Sequence, residues 1–336
     1  MSRRDMATSV ATRLGMLNVL ERLPSRPSLV ILTYHRIMRP EDSKYDPNVI
    51  EATPDQFDEQ LAMLKRRFDV VDPEEMVELV DKPSKLRHLR VGITFDDGYI
   101  DNYEIAFPLL KKNGLKALFF LATSFVGSRH LTWWDRIAWM VRHTKRSTLR
   151  LRSYPTDIAF DARAPELAIR RVLGLYKKGK GGVEGFLEEL EEATSVAAPV
   201  EAERPEFLSW EQAREMQAAG MAIGSHTHRH LILAQLPAAE QLDECVIARK
   251  ALLENDCAFA DCIAYPVGGR TSFDAATRTA AESAGYRFGF SNFGGVNHRG
   301  EIDRFNIRRL ALDESASVAQ LRLRLAWTGL AGAAPW

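Results

Sequence analysis

Cysteine is scarce: three residues in 336, Cys245, Cys257 and Cys262. Their spacing matches no zinc-binding pattern, and an odd number closes no disulfide framework. Buried thiols in a reducing compartment are the expectation. Charge of one sign is also lacking, since Lys plus Arg and Asp plus Glu both number 45. That balance removes the general electrostatic case for nucleic-acid binding. No stretch approaches the roughly 18 apolar residues that cross a bilayer. The N-terminal MSRRDMATSVATRLGMLNVLERLPSRPSL lacks the continuous apolar core of an export signal, because Arg13 interrupts it. Residues 9–22 instead read as a short amphipathic helix packed on its own domain, with a membrane surface as the lesser use. These absences together predict a cytoplasmic protein, with peripheral association at the inner membrane face as a further option. A Gly-rich phosphate loop, an internal repeat and a long low-complexity tract are missing as well.

What is present is an alternation of short apolar runs with helical patterns. SLVILTYHRI (28–37), LRVGITF (89–95), LKALFFLA (115–122), MAIGSH (221–226), CIAYP (262–266) and YRFGFS (286–291) read as strands. Between them lie amphipathic segments such as TPDQFDEQLAMLKRRF (53–68), which starts with Thr53 as a cap and Pro54 at the first helical position. Strand–helix alternation implies βα units and a parallel sheet. About seven units without a phosphate loop favour a distorted (β/α) barrel over a dinucleotide fold. Residues 1–27 read as an N-terminal helical segment and 28–336 as the barrel. A helical insertion at about 145–207, with the charged runs YKKGKGG and FLEELEE, breaks the rhythm.

Polar residues gather where apolar strands stop. Asp96 and Asp97 follow Phe95 in TFDDGY, at the strand end where barrel enzymes place their chemistry. One carboxylate could hold a metal while its neighbour, facing the other way, moves a proton. Three of the eight histidines lie in SHTHRH: His226, His228 and His230. Imidazole and carboxylate together make a common zinc donor set. A helical turn would pair His226 with His230, and a strand would pair it with His228, so spacing leaves both open. AYPVGGR (264–270) is a strand followed by a turn whose backbone N–H could face an oxyanion. His35 ends the first strand, where an imidazole could protonate a leaving amine.

TFDDGY (94–99), SHTHRH (225–230) and AYPVG (264–268), in this order, resemble the motifs of polysaccharide deacetylases of the NodB-homology type, carbohydrate esterase family four. The resemblance covers most of 28–312 outside the insertion. It implies a distorted (β/α) barrel that removes N-acetyl groups from glycans with a divalent metal. By position, Asp96 corresponds to the catalytic base and Asp97, His226 and His230 to the metal ligands, with Thr227 at the motif's hydroxyl position. This sets His228 aside. Tyr265, Pro266, Val267 and Trp134 are the implied substrate and oxyanion residues, and Tyr34 and Asp135 supporting ones.

The sequence departs from the family pattern twice. Ala264 stands where an arginine usually supports the catalytic Asp, leaving Arg270 or Arg36 as substitutes. The usual C-terminal Leu-x-His acid is absent too, and His298 in GGVNHRGE is the one histidine near the end. TYHRI resembles a permuted subgroup that includes poly-N-acetylglucosamine deacetylases, in which an N-terminal Tyr-His takes the acid's place. That resemblance makes His35 the acid. The metal expected is Zn2+, with Co2+ or Ni2+ also suited to the donors. The substrate expected is an N-acetylated glycan or lipid-linked saccharide, with no nucleic-acid partner. A same-fold hydrolase of a non-sugar amide and a non-catalytic glycan-binding relative are the alternatives. The TWWDRI segment (132–137) adds Trp133 as a sugar-site or core aromatic.

Overall fold

The first strand, β1 (Ser28–Tyr34), is buried at all seven positions. Burial on both faces is why it reads as an unbroken apolar run, as central strands of parallel sheets do. It pairs in parallel with β2 (Leu89–Phe95), from Ser28 opposite Leu89 to Tyr34 opposite Phe95. Parallel neighbours follow in turn: β3 (Leu118–Leu121), β4 (Ala222–Ser225), β5 (Cys262–Ala264) and β6 (Phe288–Ser291). The computed structural model describes residues 16–331 except 22, 155–156, 160, 162–163, 180–181 and 313–316.

Three two-residue strands complete the sheet. β7 (Asn297–His298) lies antiparallel against the start of β1. β8 (Ile307–Arg308) pairs with β6, and β9 (Leu310–Ala311) pairs with β1. The segment 307–311 therefore fills the gap between the last and first long strands and nearly closes the barrel. The nine-stranded sheet exceeds the expected seven or so strands because these pieces are too short to show a period.

Helices follow where capping chemistry asks for them. Of the expected 9–22 segment, the helix α1 (Met16–Leu20) and Glu21 are described; residues 9–15 and 22 lie outside the described ones. At α2 (Pro54–Arg67), Thr53 and Gln56 form a reciprocal capping box, a device worth about 1 kcal/mol. α3 is Pro73–Asp81. A π-helical turn, Asn102–Ala106, leads into α4 (Phe107–Asn113), which Gly114 ends at φ 67°.

Between β3 and β4 come α5 (Trp133–His143), α6 (Glu166–Lys178) and α7 (Val183–Thr194). Ile137 and Val141 pack with Ile169, Val172 and Leu190 in an apolar cluster separate from the barrel core. The helical excursion thus takes in α5, ahead of the 145 expected from the sequence. Four helices complete the chain: α8 (Trp210–Ala218), α9 (Ala238–Glu254), α10 (Ala275–Ala284) and α11 (Val318–Ala331). The cysteines are free and buried, as expected. No helix among the described residues is long and apolar enough to cross a membrane.

Candidate metal centre and catalytic site

Parallel strands start at one end, so their last residues share one rim. His35 follows β1, Asp96 and Asp97 follow β2, His226 follows β4 and Tyr265 follows β5. Six described non-glycine residues have positive φ, and four belong to this rim: Asp97, Thr227, His230 and Val267. Left-handed backbone costs about 1–3 kcal/mol per residue and collects where geometry is functionally constrained. Here it divides the carboxylate pair. Asp96 continues the strand, its N–H donating to Tyr34 O at 2.9 Å. Asp97, at φ 71°, turns its carboxylate toward the histidines.

Asp97 Oδ1 lies 3.2 Å from His230 Nε2 and 3.4 Å from His226 Nε2. One donor atom from each of these three buried residues lies within 4.8 Å of the others. His226 Nδ1 is 2.8 Å from Ala264 O. A carbonyl only accepts, so Nδ1 carries the proton and Nε2 presents a lone pair. Burial, foremost, lowers the His226 pKa to about 4 and keeps the ring neutral. Asp97 Oδ1 has no hydrogen-bond partner among the described residues. A bare imidazole nitrogen and an unpartnered carboxylate oxygen in buried contact repel unless a cation lies between them. The donor set fits a divalent metal such as zinc, cobalt or nickel.

His228 points elsewhere, its Nδ1 3.0 Å from Thr123 Oγ1. Of the two pairings left open by spacing, the structure brings together His226 and His230. Thr227 Oγ1 is buried without a partner among the described residues.

Asp96 lies beside the three donors, its Oδ2 3.8 Å from His226 Nε2. Its support is a residue that sequence reasoning missed. Arg309, between β8 and β9, is fully buried and bidentate, with Nη1 2.6 Å and Nη2 2.8 Å from the two carboxylate oxygens. Burial alone would raise the Asp96 pKa, but the Arg309 charge holds it below the ordinary value. Both arginines proposed from the sequence are engaged otherwise. Arg36 binds Asp101 at 2.8 Å and Glu206 at 3.1 Å, whereas Arg270 stacks over Phe293. The strand-closing segment, not the AYP turn, supplies the charge that Ala264 lacks.

His35 also has a partner not found in the sequence. Its Nδ1 is 2.7 Å from Glu51 Oε1, and its backbone N–H donates to Glu51 Oε2 at 2.7 Å. Asn102, in the π-helical turn, donates to His35 O at 2.7 Å. Burial works to lower the imidazole pKa, but Glu51 outweighs it, with Asp97 and Asp96 adding, and pushes it up to about 9. Nδ1 is occupied, which leaves Nε2 for the site. The alternative acid, His298, pairs with Ser28 at the opposite end of β1. Seven strand residues put it roughly 20 Å from His35, so it is displaced from the rim.

The aromatic expectations divide. Trp134 packs its ring against the His230 ring, with centroids 4.4 Å apart and planes tilted by 58°, and donates from Nε1 to Tyr99 Oη at 2.7 Å. Trp133 donates to His230 O at 3.2 Å. Both therefore wall the metal-ligand loop and also belong to the insertion's core. Asp135 accepts from Thr132 Oγ1 and Asp46 N, and burial pushes its carboxyl up to about 7 against the Arg36 charge. Tyr34 is a core residue, bonded to Gln60 and stacked on Phe95. Tyr265 turns away from the metal ligands: its hydroxyl donates to Phe305 O and its N–H to Phe290 O. Pro266 and Val267 form the turn beyond it, and Val267, at φ 62°, packs against the tryptophan cluster.

Comparison with known proteins gives a consistent result. A sequence profile described as polysaccharide deacetylase matches residues 84–289. YxkH of Bacillus subtilis (strain 168), named for the same family, is 24% identical over 272 residues, covering 81% of this chain and 67% of its own. The fold is similar to that of IcaB from Ammonifex degensii, with 20% identity and a TM-score of 0.56 over 89% of this chain and 97% of that one. It is also similar to the Streptococcus pyogenes deacetylase PplD in complex with acetate, with 22% identity and a TM-score of 0.54 over 89% and 97%.

Proposed function

The chain belongs to the polysaccharide deacetylase family, whose members are hydrolases that remove N-acetyl groups from glycans, and from that premise we propose a metal-dependent mechanism built on the rim of this barrel. The observation that carries it is the convergence of Asp97, His226 and His230 next to an ionised Asp96 and a proton-bearing His35. Asp97, His226 and His230 would hold a divalent ion. Such an ion supplies Lewis acidity, polarising the acetyl carbonyl and lowering the pKa of water toward about 7.

The protein's own residues do the rest. Asp96, kept ionised by Arg309, accepts a proton from the water that attacks the acetyl carbon. Arg309 is positioned by its own hydrogen bonds to Ser291 O and Thr94 Oγ1, so the base does not swing. His35, oriented and charged by Glu51, gives its Nε2 proton to the sugar nitrogen as the C–N bond breaks and acetate leaves. The N–H in the turn at Val267 faces the developing oxyanion in this reading. Trp134 and Trp133 exclude water from the back of the His230 loop. The Tyr-His at the end of β1 supports the likeness to the permuted subgroup, since His35 stands at the same rim as the base. The substrate is an N-acetylated glycan or glycan precursor.

The test is metal analysis coupled to acetate release from chitin oligomers. Chelation should abolish release, and zinc, cobalt or nickel should restore it. His226→Ala and His230→Ala should lose both metal and recovery. Undiminished release from metal-stripped protein would contradict the reading.

A further inference from the structure

The loop that carries the two histidine ligands is bent in a way its own residues do not favour. The backbone takes left-handed φ twice, 64° at Thr227 and 54° at His230. Neither is glycine, so both positions carry strain that surrounding bonds must offset. His226 N–H donates to Leu121 O at 2.8 Å. The carbonyls of Thr227 and His228 accept from Thr123 N at 3.1 Å and Ser124 N at 2.9 Å. Thr227 N–H donates to Ser225 Oγ at 3.2 Å, and Trp133 Nε1 donates to His230 O.

The two N–H groups in the middle of the loop go to one side chain. Glu244 Oε2 accepts from His228 N at 3.1 Å and from Arg229 N at 2.7 Å. Its Oε1 accepts from Arg229 Nε at 2.6 Å. Glu244 lies on α9, in the buried stripe with Gln241, Cys245 and Ala248, and is 1% exposed. A carboxylate in a helix interface is tolerated when its oxygens are bonded, and here the donors belong to the ligand loop. Tyr286 ties α9 to the start of that loop as well. Its hydroxyl donates to Cys245 O at 3.1 Å and lies 2.8 Å from Ser225 Oγ. The Arg229 side chain is 54% exposed, so the backbone contacts, not the ion pair, are the buried part of the clamp.

We propose that Glu244 is a positioning residue that presets the metal centre. By holding the N–H groups of His228 and Arg229, it keeps His226 and His230 converged on Asp97 before an ion binds. The inference rests on the metal-dependent reading above. Without the carboxylate those N–H groups would be buried and unpaired, and the loop would relieve them by turning toward water. The histidines converge only in the clamped form. Apparent affinity falls with the fraction of protein in the binding-competent form, so the loss appears in the metal dissociation constant.

The experiment measures zinc dissociation constants by competition with a chromogenic chelator, starting from metal-free protein. Native protein is compared with Glu244→Leu, Glu244→Gln, Glu244→Asp and Arg229→Met, and urea unfolding of each verifies that it is folded. Glu244→Leu should weaken zinc binding about 10–100-fold. Glu244→Gln should recover most of that loss, because its amide oxygen still accepts from both N–H groups. Glu244→Asp keeps the charge but ends one methylene short, so it should fall between them; it decides the case if Glu244→Leu does not fold. Arg229→Met removes only the exposed ion pair and should bind zinc like the native protein. Native affinity in folded Glu244→Leu or in Glu244→Asp would overturn the inference while leaving the metal reading intact. A loss in Arg229→Met as large as in Glu244→Leu would overturn it too. Native protein that binds no zinc would refute the metal reading and the inference together.

Discussion

Replacing Arg309 with Met should convert the best-supported carboxylate of the barrel into its greatest liability. In the native protein both partners are fully buried and joined by two hydrogen bonds of 2.6 and 2.8 Å. Removing one member of such a pair costs about 3–5 kcal/mol, because the remaining charge is buried without compensation. The pH dependence fixes the sign. The native Asp96 pKa is lowered, so its contribution is present above the unfolded value of about 3.9 and is lost as pH falls through the folded one. In Arg309→Met, burial acts almost unopposed and raises the folded pKa above the unfolded value. Stability is then lost as pH rises, by up to about 1.4 kcal/mol per pH unit while Asp96 stays protonated. Urea unfolding of metal-free protein at pH 5 and pH 7.5 should therefore show a gap between native and variant that widens toward pH 7.5. The acid limb of kcat/KM should also move to higher pH. Arg270→Met is the control, since it removes only a stacking contact on Phe293 worth about 1 kcal/mol. A gap that is constant with pH would refute the assignment of Arg309 to Asp96.

Two further substitutions separate the remaining roles. Glu51→Gln removes the charge that raises His35, so the basic limb of the native profile, expected near the His35 value of about 9, should shift down toward the ordinary imidazole range. Native stabilisation from that pair is present below about 6.5 and fades as pH rises through about 9, so the variant's stability deficit should shrink in alkaline buffer. His228→Ala should keep its metal and lose no more than about 1.5 kcal/mol of stability, the worth of one hydrogen bond to Thr123. Metal loss in that variant would reassign the ligand set.

Much of this arrangement is legible in the sequence because the informative residues sit next to strong local signals. Asp96 and Asp97 close an apolar strand, and the histidine cluster closes another, so βα patterning alone puts them on one rim. The strand–helix rhythm and the Thr53 and Gly114 punctuation mark the elements for the same reason. The supports are invisible because they come from the shortest elements. Arg309 lies in IRRLAL between two-residue strands, where an inward arginine looks like a surface one until the barrel closes around it. Glu51 lies in the three-residue strand Ile50–Ala52 after a 3-10 turn, too short to show a period, and only its pairing with Arg36–Ile37 brings it under His35. The choice of His230 over His228 depends on positive φ at Thr227 and His230, which neither helical nor strand spacing anticipates. Tyr34 and Tyr265 show the reverse error. Their place beside the motifs suggests a role at the site, but both side chains are buried in the packed interior, bonded to Gln60 and to Phe305 O.

The most direct test of the account is Asp96→Asn in metal-loaded protein, assayed for metal content and for acetate release from chitin oligomers together. The account predicts an unchanged metal content, because Asp97, His226 and His230 are intact, and a fall in turnover of about 10²–10⁴-fold from loss of the base. Turnover equal to that of the native protein, or loss of the metal with the Asp96 carboxylate, would contradict the division of labour between the two adjacent aspartates.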